Sequence, residues 1–390
     1  MSIPTNNLYN FVAQALENKF LIKYFYPWGE KGFGNIVDNC EDKTPDHQYP
    51  NISSQPVVFC HDQEPLDYDL YSDTQLQNQY NQLTDWAKQC TKWLYKDLNL
   101  RWHHATDCNQ FWTLLHSELN SPEVARYEST GSFRCAYWWS HAIIARDWYR
   151  FAVHDSRLKR TGQDIKANFL VYARGKTGKR AYRTQFVELL KQVSSVQLGS
   201  IDEQTVTSDT SAEYTPKDFI STNCSLVLET VIDRIHLTEK TLRPIACGHP
   251  FILYNGPGAL ETLRSYGFYT FQPYIDESYD NEIDPTKRMH KILQEMNRIN
   301  NSSKKYQEYI WKGCQEIADY NKKLFFSDKF LWRVKTELRK NVRTLPESKV
   351  DFRRIRKMHV GYGRKHRLDL NPKTRRYRVE LYLKLKSTSI

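Results

Sequence analysis

Apolar positions along the chain fall into two regimes, irregular up to about residue 155 and regular beyond 166. At the start, Leu8, Phe11, Val12 and Leu16 recur at helical spacing and predict an amphipathic helix. Residues 57–60 predict a buried strand that ends in the polar turn His61-Asp62-Gln63-Glu64-Pro65. Residues 76–95 read as helical. Trp112, Leu114 and Leu115 follow a polar stretch, and 135–153 reads as a largely buried helix or helix pair.

The polar, charged stretch 155–166 marks a boundary. After it, strands are expected at 167–173, 226–228, 251–254 and 268–271. Helices are expected at 181–193, 242–247 and 258–266, and long helical patterns fill 286–340. Tyr182, Phe186, Leu189 and Val193 share one helical face. Gly248 and Gly267 stand where helices stop. Strands alternating with helices imply an α/β fold, an open parallel sheet with helices on both faces. Such sheets bind ligands at the carboxyl ends of their strands.

A length of 390 residues suggests two domains and an appendage, divided here as 1–160, 161–340 and 341–390. Charge sharpens that division. Residues 341–390 hold 15 Lys/Arg against 4 Asp/Glu, which accounts for the whole net charge of +11; the rest of the chain is balanced. A neutral body with a basic C-terminal extension points to a polyanionic partner, with DNA leading, because clustered cations release counterions from phosphates. Tyr362, Tyr377 and Tyr382 interleave with the cations, and the alternation over 375–386 reads as a short strand. A merely solubilising or disordered tail is the plain alternative. No apolar run reaches membrane-spanning length, and the first residues lack a basic segment followed by an apolar one. A cytoplasmic location is expected, that of the host if the chain is viral. The eight cysteines form no C-x-x-C pair, which argues against a zinc ribbon and for free thiols.

Residues 225–270 carry the densest chemistry. A strand is followed by Glu229, a loop, and then Thr238-Glu239-Lys240 leading into a helix. With Thr241 as N-cap, Pro244 is the third helical residue, and Glu239 and Lys240 stand just ahead of the helix N-terminus. Such an end attracts phosphate, and Lys240 can supply a point charge to a diphosphate. Glu229 and Glu239 could each accept hydrogen bonds from ribose hydroxyls. Upstream, residues 173–182 mimic a P-loop but fail its pattern twice: Ala173 stands for the first glycine and Arg180 for the final Ser/Thr. Arg174, Lys176, Lys179 and Arg180 either meet a diphosphate beyond a strand end or are solvated loop charges.

The run LVLET…TEKTLRPIACGHPFIL resembles the donor-binding motif of fucosyltransferase-type glycosyltransferases. With Gly-Phe-Tyr-Thr-Phe at 267–271 and Asp-Glu-Ser-Tyr-Asp at 276–280, it is also similar to glycosyltransferases of large tailed phages. The resemblance implies the GT-B architecture, two Rossmann-like domains facing a cleft, with a UDP- or GDP-sugar held by the second and no metal needed. It assigns Glu239 to the ribose and Lys240 to the diphosphate. Arg174 matches by its position after a strand. The family reads Glu-Asn where this chain has Glu229-Thr230, which leaves base and sugar open.

Inverting sugar transfer requires a group that takes the acceptor hydroxyl proton. The related fucosyltransferases use a glutamate in a Glu-Ser-Pro-like turn, which makes Glu64, before Pro65, or its neighbour Asp62 the expected base. Asp67-Tyr68-Asp69 and His103-His104 with Asp107 read as ordinary polar residues, and Arg146-Asp147 as an interdomain ion pair. The expected acceptor is a hydroxymethylated pyrimidine in phage DNA. A lipopolysaccharide or other glycan is the alternative, as is a non-catalytic nucleic-acid-binding protein on a degenerate transferase fold.

Overall fold

A computed structural model describes residues 2–17, 21–26, 35–38, 57–61, 65–66, 112–129, 133–160, 165–174, 178–199 and 212–343. Among them are two largely parallel sheets. The first contains β1 (Leu21–Tyr26), β2 (Asn35–Asp38), β3 (Val57–His61), β4 (Trp112–His116) and β5 (Phe133–Tyr137) in the order β2-β1-β3-β4-β5. Only β2 runs antiparallel to its neighbour. The second contains β6 (Ala167–Val171), β7 (Val196–Leu198), β8 (Thr222–Leu228) and β9 (Phe251–Tyr254), ordered β7-β6-β8-β9 and parallel throughout.

Helices α1 (Ser2–Ala15), α2 (Pro122–Ser129) and α3 (Ser140–Trp148) accompany the first sheet. With the second come α4 (Tyr182–Leu190), α5 (Pro216–Ile220), α6 (Glu239–Cys247) and α7 (Ala259–Ser265). Three longer helices close the described chain: α8 (Pro285–Asn300), α9 (Lys304–Phe325) and α10 (Asp328–Arg343). No helix among the described residues is long and apolar enough to cross a membrane.

The α1 periodicity holds, with Leu8, Val12 and Leu16 buried. Three expectations need correction. First, 135–153 is not all helix: Cys135–Tyr137 completes β5, which pairs in register with β4, and α3 starts only at Ser140. A continuous apolar run has no period that separates a buried strand from a buried helix. Second, 268–271 is not a strand. Phe268 and Phe271 enter the core, while the Tyr269 N–H donates to Asn321 Oδ1 at 2.9 Å and its carbonyl accepts from Asn321 Nδ2 at 2.8 Å. Third, β8 begins at Thr222, four residues earlier than its apolar part. It is buried along its whole length, as a central parallel strand is. Its polar members are satisfied locally: His249 lies 2.9 Å from Ser225 Oγ and 3.3 Å from Thr222 Oγ1, and Asn223 donates to Asn168 Oδ1 at 2.9 Å. Residues 76–95, and the basic segment beyond Arg343, lie outside the described residues.

One hydrophobic core runs through both sheets' layers. Trp139, just before α3, packs on Tyr266 (4.6 Å between ring centroids) and edge-on to Phe330, and its indole N–H donates to the Leu237 carbonyl at 2.8 Å. Arg146, expected in an ion pair, instead donates to the carbonyls of Phe325, Phe326 and Ser327, at the end of α9 and in the turn that follows it. The first two are acceptors that a helix C-terminus leaves over. The final helix, α10, returns to the first sheet's layer, where Arg339 donates to the Ala15 carbonyl and Asn341 to that of Tyr137.

Candidate functional site

In the second sheet the chain leaves β6 for β7 on one side and then returns to build β8 and β9 on the other. The carboxyl ends of β6 and β8 therefore flank a topological switch point, where open α/β sheets form a ligand crevice. Tyr172 to Arg174 leave β6 there, and Glu229 leaves β8 for α6.

Glu229 is fully buried and faces inward. Its Oε1 accepts the Thr238 N–H at 2.9 Å and the Thr241 hydroxyl at 2.6 Å; its Oε2 accepts the Thr238 hydroxyl at 2.6 Å. The carboxylate fastens the 229–238 loop against the base of α6, and its oxygens are engaged by the protein rather than offered to a ribose. Thr238 is thereby placed as N-cap, with its side chain accepting the Lys240 N–H. The cap therefore stands three residues before the expected Thr241, which lies inside the helix and also gives its hydroxyl to Glu229. Pro244 then lies inside α6, which ends at Gly248 in the left-handed conformation (φ 69°) that glycine accommodates best.

Glu239 and Lys240 are thus the first two residues of α6. Lys240 Nζ lies 2.6 Å from Glu239 Oε1 and 3.3 Å from Thr238 Oγ1. Burial alone would raise the Glu239 pKa, but the charges of Lys240, His141 and Arg243 hold it at about 2. Lys240 keeps 26% of its side chain exposed, so the pair sits at the rim of the protein's interior.

One turn along α6, Arg243 is buried with its guanidinium 5.5 Å from the Tyr172 ring and 6.0 Å from that of Tyr149; its Nε donates to the Tyr149 hydroxyl at 3.2 Å. Arg174 answers to the same group: partial burial, then Arg243, then Arg180 pull its pKa down. Arg243 and Arg180 thus stand near enough to Arg174 for their charges to act on it. Arg183 holds the crevice walls together. It donates to the carbonyls of Leu228 at 2.8 Å and Glu229 at 3.1 Å, and to that of Arg174, so the ends of β6 and β8 share one buried cation.

Across the crevice, loops from the first sheet meet these. The Leu66 carbonyl accepts from Lys179 Nζ at 3.3 Å and from Arg234 Nη2 at 3.1 Å. Arg234 forms a buried ion pair with Glu118 at 2.6 Å, and Glu118 also accepts the Leu66 N–H at 2.8 Å. Leu119 and Ile235 form a β-bridge. Lys179 thus holds an opposing loop.

Of the residues singled out by sequence, Thr238, Glu239 and Lys240 come together above Glu229, and Arg174 joins them through Arg243. Asp62, Glu64, Asp67, Asp69, His103, His104, Asp107 and Lys176 lie outside the described residues. Arg243 was missed. Its signal was present, since with α6 starting at Glu239 the two stand at i, i+4, the spacing of a helical ion pair. Arg234 and Glu118 meet only through tertiary structure and carry no local signal. Among the described residues no three His, Cys, Asp or Glu side chains converge as a metal ion would require. The arrangement offers an ionised carboxylate that accepts from hydroxyls, beside an ammonium and guanidiniums that neutralise an anion. No protein-family model, curated protein or solved structure matches the chain.

Proposed function

We propose that this chain is a nucleotide-sugar-dependent glycosyltransferase of the GT-B type, holding a UDP- or GDP-sugar at the N-terminus of α6. The observation that carries the reading is the pairing of ionised Glu239 with Lys240 at a helix N-terminus, on the switch point of a parallel sheet, near arginines whose charges act on one another. Glu239 accepts hydrogen bonds from the ribose hydroxyls, and Glu229 keeps the helix start in place beneath it. Lys240 and Arg174 face the diphosphate. As the bond from the anomeric carbon to the diphosphate breaks, these cations neutralise the charge that develops on the leaving oxygen. Asp62 or Glu64 takes the proton of the attacking hydroxyl. Glu64 immediately precedes Pro65, Asp62 stands two residues earlier, and the Leu66 that follows holds Lys179 and Arg234 through its carbonyl.

The favoured acceptor is a hydroxymethylated pyrimidine in DNA, attracted by the basic segment 341–390. In a duplex such a base is flipped out before reaction. A glycan acceptor is the other outcome. A thermal-shift screen against UDP-, GDP-, CMP- and ADP-sugars tests the donor. A bound donor at a hundred times its Kd adds about 2.7 kcal/mol of stability, and Lys240→Ala or Arg174→Ala abolishes the shift. If no nucleotide sugar raises the midpoint, or both variants keep the shift, the assignment fails.

A further inference from the structure

Counted against the helices, the positive charge of the chain begins earlier than residue 341. Residues 328–390 hold 20 Lys/Arg against 6 Asp/Glu, and residues 1–327 hold 36 against 39. The change of sign falls at the start of α10, the last helix among the described residues. One face of α10 is spent on the core, where Phe330, Val334, Leu338 and Val342 are buried. At about 100° per residue, the opposite sector of about 160° carries Lys329, Arg333, Lys335, Arg339 and Lys340 around Trp332 and Thr336. Lys329, Trp332, Thr336 and Lys340 are exposed, Trp332 to 65%; the other three are half-buried.

The carboxylates near this face are Asp328, Glu337 and Glu17, and each is engaged. Asp328 opens the helix, where the dipole favours an anion, and its charge acts on Arg146. Glu337 accepts from the Tyr266 hydroxyl at the edge of the core, with Lys340 acting on it from the same helix. Glu17 lies 3.8 Å from Arg339, which also donates to the Ala15 carbonyl. α1, alongside, contains no charged residue. Lys329, Arg333 and Lys335 have no carboxylate partner among the described residues. Their charge is left for something outside the fold.

The character of the face selects the partner. An amphipathic helix that binds a bilayer sinks its apolar face into it, and the apolar face of α10 is already buried in protein, with Trp332 alone turned outward. A basic stripe along a helix, continued by a segment of the same sign, fits a long polyanion with regularly repeated charge, which is what a nucleic-acid backbone presents. Duplex DNA has the densest such charge and needs no unstacked base to be held this way.

We propose that the outward face of α10 docks on the phosphate backbone of duplex DNA, with Lys329, Arg333 and Lys335 meeting phosphates around Trp332. This rests on the DNA reading of the basic segment and uses no residue of the α6 site, so a failed nucleotide-sugar screen leaves it standing.

The test is fluorescence anisotropy of the full chain with a labelled duplex of mixed sequence across a salt series. Each phosphate contact contributes about 0.9 to the slope of log affinity against log salt, so Lys329→Gln with Lys335→Gln flattens it by about 2. Lys287→Gln with Lys304→Gln removes the same net charge from exposed positions on α8 and at the far end of α9, and leaves the slope unchanged. The fluorescence that Trp332→Phe removes becomes shielded from acrylamide when the duplex is added. Three results overturn the proposal: an unchanged slope in the α10 variant, an equal loss in the α8/α9 control, or a Trp332 equally quenched with and without DNA. Phosphatidylserine vesicles or polyglutamate bound as tightly as the duplex, with the same dependence on Lys329 and Lys335, overturn the choice of DNA.

Discussion

Replacing Glu229 by alanine asks whether one buried carboxylate sets where α6 begins. Three donors converge on it, the Thr238 N–H at 2.9 Å and the hydroxyls of Thr238 and Thr241 at 2.6 Å each. A hydrogen bond to a charged group contributes about 1.5–3 kcal/mol, and a buried donor left unpaired costs about 1–3 kcal/mol. The penalties do not sum, because the hydroxyls can turn to other acceptors while the backbone N–H cannot. Burying the carboxylate was also costly, which offsets part of the loss. The net destabilisation of the loop and first turn is about 3 kcal/mol. Amide hydrogen exchange reads it directly: opening of 229–247 becomes at least about a hundredfold more frequent, while α1 keeps its protection. Glu229→Gln retains one acceptor oxygen and falls between. If exchange across 229–247 in Glu229→Ala stays within about threefold of wild type, Glu229 does not set the helix start.

Two further substitutions separate tertiary packing from local propensity and charge. Gly313→Ala is favourable by about 1 kcal/mol on helix propensity alone, yet its methyl would stand 2.0 Å from the Tyr274 ring. The variant is expected to be less stable by about 1–3 kcal/mol in denaturant unfolding, and a stabilised variant refutes the placement of Tyr274. Burial pushes the Glu337 carboxyl up to about 7, against the Tyr266 hydroxyl and Lys340, which pull it down. Its folded state favours the proton, so its contribution is complete below the ordinary value of 4.5 and is lost as pH rises through about 7. Glu337→Gln is therefore expected to exceed wild-type stability at pH 8, by on the order of 2 kcal/mol, and to match it at pH 4. An equal gap at both values sinks this reading.

What the chain discloses locally and what it conceals follow from where each decision is made. α1, α4, β6 and β9 are legible because their patterning is periodic or bounded by polar turns. β5 is not, because the apolar run through Trp138 and Trp139 looks alike as strand or helix and is settled by pairing with β4. Thr238 and Thr241 are equally good caps in isolation; Glu229, nine residues before the first, decides between them through space. Thr238-Glu239-Lys240 reads as a phosphate-facing motif by residue type alone, whereas Arg243 acquires meaning only once α6 starts at Glu239. The tyrosines of α9 share a visible helical spacing, but Tyr269, which stacks on Tyr320, comes from a stretch whose pattern predicts a strand.

The return of α10 has a mechanical consequence. Val334, Leu338 and Val342 are buried in the same core that receives Leu8 and Val12, and Arg339 grips the end of α1. The two described extremities of the chain are thus latched to one another through one core. Trimming back past Asp328 would unseat α1, and the layers of the two sheets are expected to melt together.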